Sequence, residues 1–587
     1  MQLIWLALCA AVLAAQVPPP QDIRNTYTPD TDTHFKMPEY KTLAEWEARK
    51  AHLRRQILSA AGLQPMPEKT PLNPRILGRL EREGYSIEKV LLETMPGYYL
   101  GGNLYRPLGR TGKFPGVATP HGHWNYGRLE HQPLGSIPAR CINLARQGYV
   151  VFAYDMVGYN DTIQTPHAFG GPAEQLWSFG PLGLQLWNST RVVDFLQSLP
   201  EVDPERIAAT GASGGGTQTF LLAAVDDRVR WAAPVNMISG IMQGGSPCEN
   251  APNLRVGAFN VEFGAMMAPR PLLMVSATGD WTKNTPQEEF PAIRRIFEFY
   301  GKPENVANVH IDAPHNYNQA SREAVYRFFA RHILGDADEK KYAEKSVRIE
   351  RLQDMLALHN QTLPAGALDY EGLFRQWKAA SQRQTEAAGA ADLRLWLRYS
   401  LGAEWPEEVF SDTRPETGEI VLGRAGKGDR VPGLWIAGDQ RAALVVHPEG
   451  ARQAREAPVV QELKRAGRTV LLIDAFQTGA AVAARNRSHR YFLTFNRSDD
   501  ACRVQDILTA LRVLQFKGFR ELRLIGLGKA AVWALFAAAV APLEVRLTAD
   551  VRDFQGRDED FIERFFVPGI QRAGGLAAAM KLARLRQ

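Results

Sequence analysis

Cysteine and long apolar runs are both scarce in this sequence. Four cysteines in 587 residues provide neither a disulfide framework nor the closely spaced thiols of a zinc ribbon. Beyond the N-terminus no apolar run approaches about 18 residues, which argues against a membrane-spanning protein. The 69 basic and 63 acidic residues leave a net charge of only +6, with no basic stripe that would favour nucleic-acid binding. The overall composition, 45% hydrophobic and 22% charged, is typical of a globular protein, and the length predicts more than one domain.

The N-terminal segment predicts export. Residues 1–15, MQLIWLALCAAVLAA, have the length of a short secretory signal and end in small residues suited to cleavage, although Lys and Arg are missing from the segment. A buried N-terminal helix is the alternative. We therefore predict a secreted or periplasmic protein in which a polar arm, residues 16–41, follows a signal peptide. Cys141, Cys248 and Cys502 then remain; isolated buried thiols are favoured, and a Cys141–Cys248 bridge stays open.

Strand-like and helix-like segments alternate through residues 42–336. Such alternation predicts right-handed crossovers and a mostly parallel sheet with helices on both faces. The fold class is therefore α/β, and we place one domain at residues 42–336. The predicted strands are residues 86–94, 98–105, 116–119, 149–154, 206–210, 229–235, 272–277 and 306–312. The predicted helices are residues 42–63, 186–199, 214–224, 286–300 and 322–334.

The second half of the chain repeats the first. A charged, alanine-rich helical linker is predicted at residues 337–402, followed by a second unit at residues 403–587. Four segments recur in the same order, which shared composition alone does not explain. The matched pairs are 53–65 with 395–406, 148–155 with 467–474, 191–196 with 503–508, and 207–215 with 522–530.

One glycine-rich motif carries chemistry. Residues 211–215 read GASGG, which satisfies G-x-S-x-G, and they lie between a predicted strand and a predicted helix. There the flanking glycines allow a strained turn that lifts a serine hydroxyl above the end of the sheet. The motif therefore predicts Ser213 as a nucleophile; a glycine-rich loop without chemistry is the alternative. It lacks the Lys and the spacing of a phosphate-binding loop, so no nucleotide cofactor is predicted.

A serine nucleophile needs a base that is itself oriented by a carboxylate. In sheets of this type the acid and then the histidine follow the serine, at the carboxyl ends of later strands. Asp280 and His315 each follow a predicted strand, so they are the predicted acid and base. Asp312 and His310 are weaker alternatives, since they are more often structural at such positions. Asn236 occupies another strand end, but its amide cannot serve as the acid.

Two backbone amides are predicted to hold the developing oxyanion. One belongs to Gly214, directly after the nucleophile. The other belongs to His123, in the loop PHGHW that begins at Pro120. The spacing of His121 and His123 could suggest a metal pair. No carboxylate or third histidine lies at useful spacing, so no metal site is predicted.

These motifs make residues 87–334 resemble the acetyl xylan esterase and dienelactone-hydrolase-like branch of the α/β-hydrolases. The segments that carry the resemblance are residues 120–122, 203–207, 211–216, 268–271, 278–280 and 314–315. It implies an α/β-hydrolase fold and a serine esterase that hydrolyses acyl, above all acetyl, esters of carbohydrates through a Ser-His-Asp acyl-enzyme mechanism. The family usually has Tyr where this chain has His123.

The resemblance implies an acylated polysaccharide or oligosaccharide as the substrate. Trp124, Trp177 and Trp281 are candidate sugar-stacking side chains, although packing against the sheet is an equal expectation. Glucuronoyl esterases are the second candidate family. Their nucleophile elbow, the strand-to-helix turn that carries the serine, typically has Cys and Arg where this chain has Ala212 and Gly214. A serine peptidase of the prolyl-oligopeptidase type also stays open, but too few residues precede the first strands to form its usual propeller.

The second unit lacks the groups that the chemistry needs. Gly528 stands where the first half has Ser213. The stretch 576–584 parallels the one that precedes the acid strand of the first half, and nothing that matches the acid or histidine strand follows it. We therefore predict that residues 403–587 form a degenerate, non-catalytic α/β-hydrolase-like domain, retained for packing or for shaping the active-site mouth.

Overall fold

Two mixed sheets share one continuous apolar core in the computed structural model, which describes residues 17–584. The predicted signal peptide, residues 1–15, lies outside the described residues. Buried apolar side chains of both halves belong to one cluster, from Trp46 near the start to Leu582 near the end. Within residues 17–584, no helix combines the length and the apolar character needed to cross a bilayer.

The first half contains nine strands in one sheet and a separate two-stranded ribbon. The strands are β1 (Arg75–Arg82), β2 (Tyr85–Met95), β3 (Tyr98–Pro107), β4 (Phe114–Pro120), β5 (His131–Gln132), β6 (Gly135–Ser136), β7 (Val150–Tyr154), β8 (Val202–Ala212), β9 (Val229–Val235), β10 (Leu272–Gly279) and β11 (Val306–Pro314). The sheet order is β1-β2-β3-β7-β4-β8-β9-β10-β11, and β5 pairs with β6. Strands β1 to β3 are antiparallel, and the strands from β7 to β11 in this order are mutually parallel.

Nine α-helices lie in the described part of the first half. They are α1 (Ile23–Thr26), α2 (Leu43–Ala60), α3 (Ile137–Gln147), α4 (Pro172–Leu176), α5 (Pro181–Ser198), α6 (Gly214–Val225), α7 (Asn260–Ala265), α8 (Glu289–Phe299) and α9 (Gln319–Phe329). Each predicted strand and helix is confirmed, with differences only at the ends. The elements that were not predicted are β1, β5, β6, α1, α3, α4 and α7. Strand β1 is an exposed edge strand without alternating apolar residues, and α1, α4 and α7 have only 4, 5 and 6 residues.

The second half contains a seven-stranded sheet. Its strands are β12 (Val409–Thr413), β13 (Glu419–Arg424), β14 (Val431–Ile436), β15 (Arg441–Val446), β16 (Thr469–Ile473), β17 (Glu521–Gly526) and β18 (Arg546–Ala549), in the order β12-β13-β14-β16-β15-β17-β18. The remaining helices are α10 (Leu352–Met355), α11 (Tyr370–Ala387), α12 (Ala390–Leu401), α13 (Ala451–Glu456), α14 (Pro458–Arg465), α15 (Phe492–Phe495), α16 (Asp499–Phe516), α17 (Ala530–Val540), α18 (Asp558–Arg564) and α19 (Gly575–Arg584).

The predicted repeat is confirmed by the strand order. The second sheet reproduces the first seven positions of the first sheet, with antiparallel and parallel neighbours at the same places. The four repeated segments fall on equivalent elements: α2 and α12, β7 and β16, α5 and α16, and the turns after β8 and β17. No described strand follows β18, so the second sheet has no counterpart of β10 or β11.

The N-terminal arm connects the two halves. The guanidinium of Arg24 donates to Asp506 Oδ1 at 2.7 Å, in a helix of the second half. A few residues later, the N–H of Phe35 donates to the carbonyl of Gly240 at 2.7 Å, in a loop of the first half. Helix α12, at the end of the predicted linker, packs against α2. The halves are therefore joined by ordered segments as well as by the shared core.

Candidate active site

Ser213 occupies a strained turn between β8 and α6. Its φ of 58° and ψ of −126° lie outside the regions that L-residues prefer. A Cβ at Gly215 would lie 2.5 Å from the carbonyl oxygen of Pro120, so only glycine allows this close approach. The N–H of Ser213 donates to the carbonyl of Val235 at 3.2 Å. The turn therefore has the geometry that the motif predicts, and it is fastened to the end of β9.

Asp280 and His315 meet at the ends of β10 and β11. His315 Nδ1 lies 2.9 Å from Asp280 Oδ2. The Asp280 side chain is 1% exposed, and its Oδ1 accepts from the N–H of Thr282 at 2.6 Å and from the Thr282 hydroxyl at 2.5 Å. Because both carboxylate oxygens are engaged, Asp280 fixes the imidazole with Nδ1–H toward itself and leaves Nε2 as the acceptor.

The free imidazole nitrogen has no partner within the described residues. His315 Nε2 is buried without a hydrogen bond, and no hydrogen bond joins His315 to Ser213 in residues 17–584. The ring packs on Trp281, with ring centroids 4.4 Å apart, and Trp281 Nε1–H donates to the carbonyl of Asn236 at 2.9 Å. The end of β9 thus supports the base through Asn236 and the serine through Val235. Catalytic hydrogen bonds are often long or unformed without substrate.

The predicted oxyanion donors flank the serine. A Cβ at Gly122 would lie 3.1 Å from Ser213 Cβ, which places the loop after β4 directly against the elbow. Within the described residues, neither the N–H of Gly214 nor that of His123 donates to a protein acceptor. Two unpaired backbone donors beside a nucleophile are what an oxyanion hole requires.

The two histidines of this loop have different environments. His121 is fully buried; its Nδ1–H donates to the Gly122 carbonyl at 2.7 Å, and its Nε2 accepts from the N–H of Met156 at 2.9 Å. Both nitrogens are therefore used, and burial lowers the pKa of His121 to about 3. His123, by contrast, is exposed at the surface of the same loop. His121 fastens the loop and does not form a metal pair with His123.

The three candidate tryptophans have different surroundings. Trp281 supports His315, and the partly exposed Trp124 packs against Gly135 of the ribbon. The surroundings of Trp177 do not match its prediction as a sugar-stacking side chain. The residue is 5% exposed, and its Nε1–H donates to Asp558 at 2.9 Å. That residue packs the first half against the second and is not available to a sugar in a cleft.

The weaker alternatives lie outside the constellation. Asp312 Oδ1 accepts from the Thr278 hydroxyl at 2.7 Å, and His310 Nδ1 lies 2.7 Å from the Ser276 hydroxyl. Both interactions link β10 to β11 away from Ser213. The sequence analysis did not identify Thr282, although a threonine two residues after a strand-end aspartate is a common partner for it.

The described cysteines are free and buried. Cys141, Cys248 and Cys502 form no disulfide within residues 17–584, as the favoured prediction states. Cys141 and Cys502 lie in the cores of the two halves. Cys248 lies beside the active-site loop, with its Sγ 3.1 Å from His123 Nε2.

A cavity of about 780 Å³ opens between the halves, within the size range of ligand clefts. The first half contributes Phe169 and Pro247, from loops next to the elbow, and the second half contributes Arg487, Tyr491 and Arg503. The candidate triad does not line this cavity. The second half therefore forms one wall of a cleft beside the site.

Comparison with known proteins agrees with this geometry. Residues 186–237 match the family described as acetyl xylan esterase (AXE1). The "Putative hydrolase YtaP" of Bacillus subtilis (strain 168) is 27% identical over 194 residues, which are 31% of this chain. The match spans 62% of the length of that curated relative.

Two solved structures are similar to parts of this chain. A glucuronoyl esterase from Solibacter usitatus is 15% identical, with a TM-score of 0.39 over 51% of this chain and 99% of that chain. Methylesterase BT1017 is 31% identical, with a TM-score of 0.50 over 59% of this chain and 78% of that chain. The match to methylesterase BT1017, with the acetyl xylan esterase family match, confirms the predicted resemblance and the predicted fold class. The chain belongs to the family of α/β-hydrolase esterases that includes methylesterase BT1017.

Proposed function

We propose that this protein is a serine esterase that hydrolyses esters of carbohydrates through an acyl-enzyme. The observation that carries the proposal is the Asp280–His315 pair, whose buried Nε2 is free, at the same sheet edge as the strained Ser213. His315 takes the proton of Ser213 as the hydroxyl oxygen attacks the ester carbonyl, and the amides of Gly214 and His123 hold the oxyanion. The proton then passes to the departing alcohol, and water releases the acid by the same steps.

The acyl group is the finer part of the proposal. The acetyl xylan esterase match supports acetyl esters, in which the sugar hydroxyl is the leaving group. The 31% identity to a methylesterase supports a second candidate, methyl esters of sugar acids, in which methanol leaves and the sugar is the acyl group.

The cellular location and the role of the second half belong to the same proposal. A signal-like segment at residues 1–15 supports export to the periplasm or the medium, where such esters occur. Gly528 at the position of the nucleophile supports a non-catalytic second half. We assign this half to the wall of the cleft, because Arg487 and Tyr491 reach the cavity.

A labelling experiment combined with a substrate panel tests the proposal. A fluorophosphonate probe should label the full chain once, at Ser213, and Cys502→Ser should serve as a variant with unchanged labelling. The panel contains acetylated xylan, methyl esters of sugar acids, glucuronate esters of larger alcohols and aminoacyl amides. Release of acetate supports the acetyl ester candidate, and release of methanol supports the methyl ester candidate. Failure of the probe to label Ser213, or turnover of the amides alone, contradicts carbohydrate esterase activity.

A further inference from the structure

Three side chains with metal-binding atoms converge beside the elbow. His123 Nε2 lies 3.2 Å from His167 Nε2 and 3.1 Å from Cys248 Sγ, and all three donor atoms lie within 4.8 Å of one another. They come from the loops that follow β4, β7 and β9, whose carboxyl ends share one edge of the sheet. We propose that His123, His167 and Cys248 form a binding site for a divalent cation of the zinc type.

The orientation of His167 fits a metal ligand. Its Nδ1 lies 2.7 Å from the carbonyl oxygen of Val157, which requires the proton on Nδ1 and leaves the lone pair of Nε2 directed at His123 and Cys248. An imidazole that donates from one nitrogen to a backbone carbonyl is the usual second contact of a zinc-bound histidine. In a metal-free chain the facing Nε2 atoms of His123 and His167 can share only one proton between them, and the Ser246 hydroxyl is a further group within hydrogen-bond distance of His167 Nε2. A cation would bind the lone pairs of both nitrogens at once.

The donor set and its dimensions select the metal. Two imidazoles and one thiolate suit Zn²⁺, with bonds of about 2.0–2.1 Å to nitrogen and 2.3 Å to sulfur. A tetrahedral centre with such bonds separates its ligand atoms by roughly 3.3–3.6 Å. The separations of 3.2 and 3.1 Å need only a small outward shift, and the third pair, His167 Nε2 and Cys248 Sγ, lies within 4.8 Å. Three protein ligands leave a fourth position, and the hydroxyl of Ser246 lies 3.2 Å from His167 Nε2.

The loop that carries Cys248 is held by groups outside the cluster. The carboxylate of Glu249 accepts from the N–H groups of Gly245 and Ser246, at 3.0 and 3.1 Å, and from the hydroxyl of Thr217 at 3.0 Å. Arg255 donates to the carbonyl of Glu249 at 2.6 Å. Cys248 is therefore positioned before any metal binds, which lowers the ordering cost of forming the site.

The cluster is attached to the catalytic elbow by His123. Its Cε1 lies 2.7 Å from the position that a Cβ on Gly214 would take, so the imidazole covers the residue after the nucleophile. A cation on Nε2 of this ring would fix the loop whose amide is a proposed oxyanion donor. The site shares His123 with the proposed esterase machinery, through its imidazole and not through its amide. Its other two ligands, His167 and Cys248, take no part in the proposed acyl transfer.

Metal binding to the purified full chain tests the proposal directly. After chelation and desalting, the chain is titrated with Zn²⁺ against a chromophoric chelator and, separately, with Co²⁺. We expect one Zn²⁺ per chain, and a Co²⁺ complex with the visible bands of tetrahedral geometry and a thiolate charge-transfer band in the near ultraviolet. His167→Ala should weaken Zn²⁺ binding by about 100-fold or more, and Cys248→Ser should remove the charge-transfer band. Cys502→Ser, which removes a buried thiol elsewhere, should change neither.

Three results would overturn the site. They are a Zn²⁺ stoichiometry near zero, a cobalt spectrum without thiolate character, and Zn²⁺ binding that survives Cys248→Ser unchanged. If the variants do not fold, crystals of the unaltered chain soaked in Zn²⁺ decide the matter: anomalous scattering at the zinc edge should place a peak between the two Nε2 atoms and Sγ, and no peak there refutes the proposal. None of these measurements needs substrate, so they succeed or fail independently of the esterase assays.

Discussion

At the end of β8 the chain turns into α6 through Ser213, with φ of 58°, and at the end of β17 it turns into α17 through Gly528, with φ of 51°. The preceding glycines are equally confined. A Cβ at Gly211 would lie 2.6 Å from the carbonyl two residues beyond Ser213, and a Cβ at Gly526 would lie 2.7 Å from the carbonyl two residues beyond Gly528. The elbow geometry thus belongs to the fold and persists without chemistry.

The surroundings of the two elbows differ in what they leave available. In the first half the N–H of His123 has no acceptor among the described residues. At the equivalent place in the second half, the N–H of Glu449 donates to His447 Nδ1 at 3.1 Å. At its turn the second half therefore has no nucleophilic hydroxyl, and it has no free amide that corresponds to that of His123. Within residues 17–584 it also has no strands that correspond to β10 and β11. A turn becomes a catalytic site only when all of these are supplied together.

The largest expected effect separates the two elbows directly. Ser213→Ala should lower kcat on the preferred ester by about 10⁶-fold, because the nucleophile is lost. Gly528→Ser, which places a hydroxyl on the equivalent turn, should leave kcat unchanged and should not restore activity in the double variant. Steady-state kinetics with far-ultraviolet circular dichroism as the folding control measures both. Activity from the second hydroxyl would show that the halves are chemically equivalent.

The next effect tests the strands that only the first half contains. Asp280→Asn should lower kcat by about 10⁴-fold, since an amide no longer holds His315 in the tautomer with a free Nε2. Asp312→Asn, on the neighbouring strand end, is the matched control and should retain nearly full activity. The comparison is made by initial rates. A greater loss in Asp312→Asn would move the acid to β11.

The close approach of the oxyanion loop to the elbow gives a smaller effect. In Gly122→Ala the new Cβ would lie 2.9 Å from the carbonyl of Ala212 and 3.1 Å from Ser213 Cβ, so the loop must shift. We expect a fall in kcat of about 10²-fold with little change in the urea midpoint. Gly180→Ala places its Cβ where nothing lies within 4 Å and should be silent. Equal activity of the two variants would contradict the position of the oxyanion donors.

The smallest effect compares two equivalent buried aspartates, Asp155 after β7 and Asp474 after β16. Burial raises the pKa of Asp155 to about 6, against the opposing effect of Arg128 and with the help of Asp161; burial also raises the pKa of Asp474. A carboxyl whose pKa is higher in the folded chain stabilises it at low pH, and this contribution is lost as the pH rises through the folded-state pKa. The free energy of unfolding of Asp155→Asn, compared with that of the unaltered chain at the same pH, should therefore become more favourable as the pH rises from about 4 to about 6. The midpoint of urea unfolding, measured for the variant and for the unaltered chain across this pH range, tests the prediction. A difference between the two midpoints that stays constant with pH would contradict it.

Most of what the sequence could predict came from residues that lie close together in the chain or in a fixed order along it. The elbow was identifiable because strand, glycines and helix are contiguous, and Asp280 and His315 followed from chain order. Trp177 could not be placed, because its partner Asp558 lies 381 residues away in another half of the chain. The cluster of His123, His167 and Cys248 was missed for the same reason: its members are 44 and 125 residues from His123 and meet only when three loops converge.

The segment that contains Arg24 has a consequence for the timing of biosynthesis. Its partner Asp506 lies 482 residues further along, so the beginning of the chain has no docking place until most of the polypeptide has left the ribosome. The arm therefore cannot dock at this place while the first half is being translated, although domains usually fold in order of synthesis.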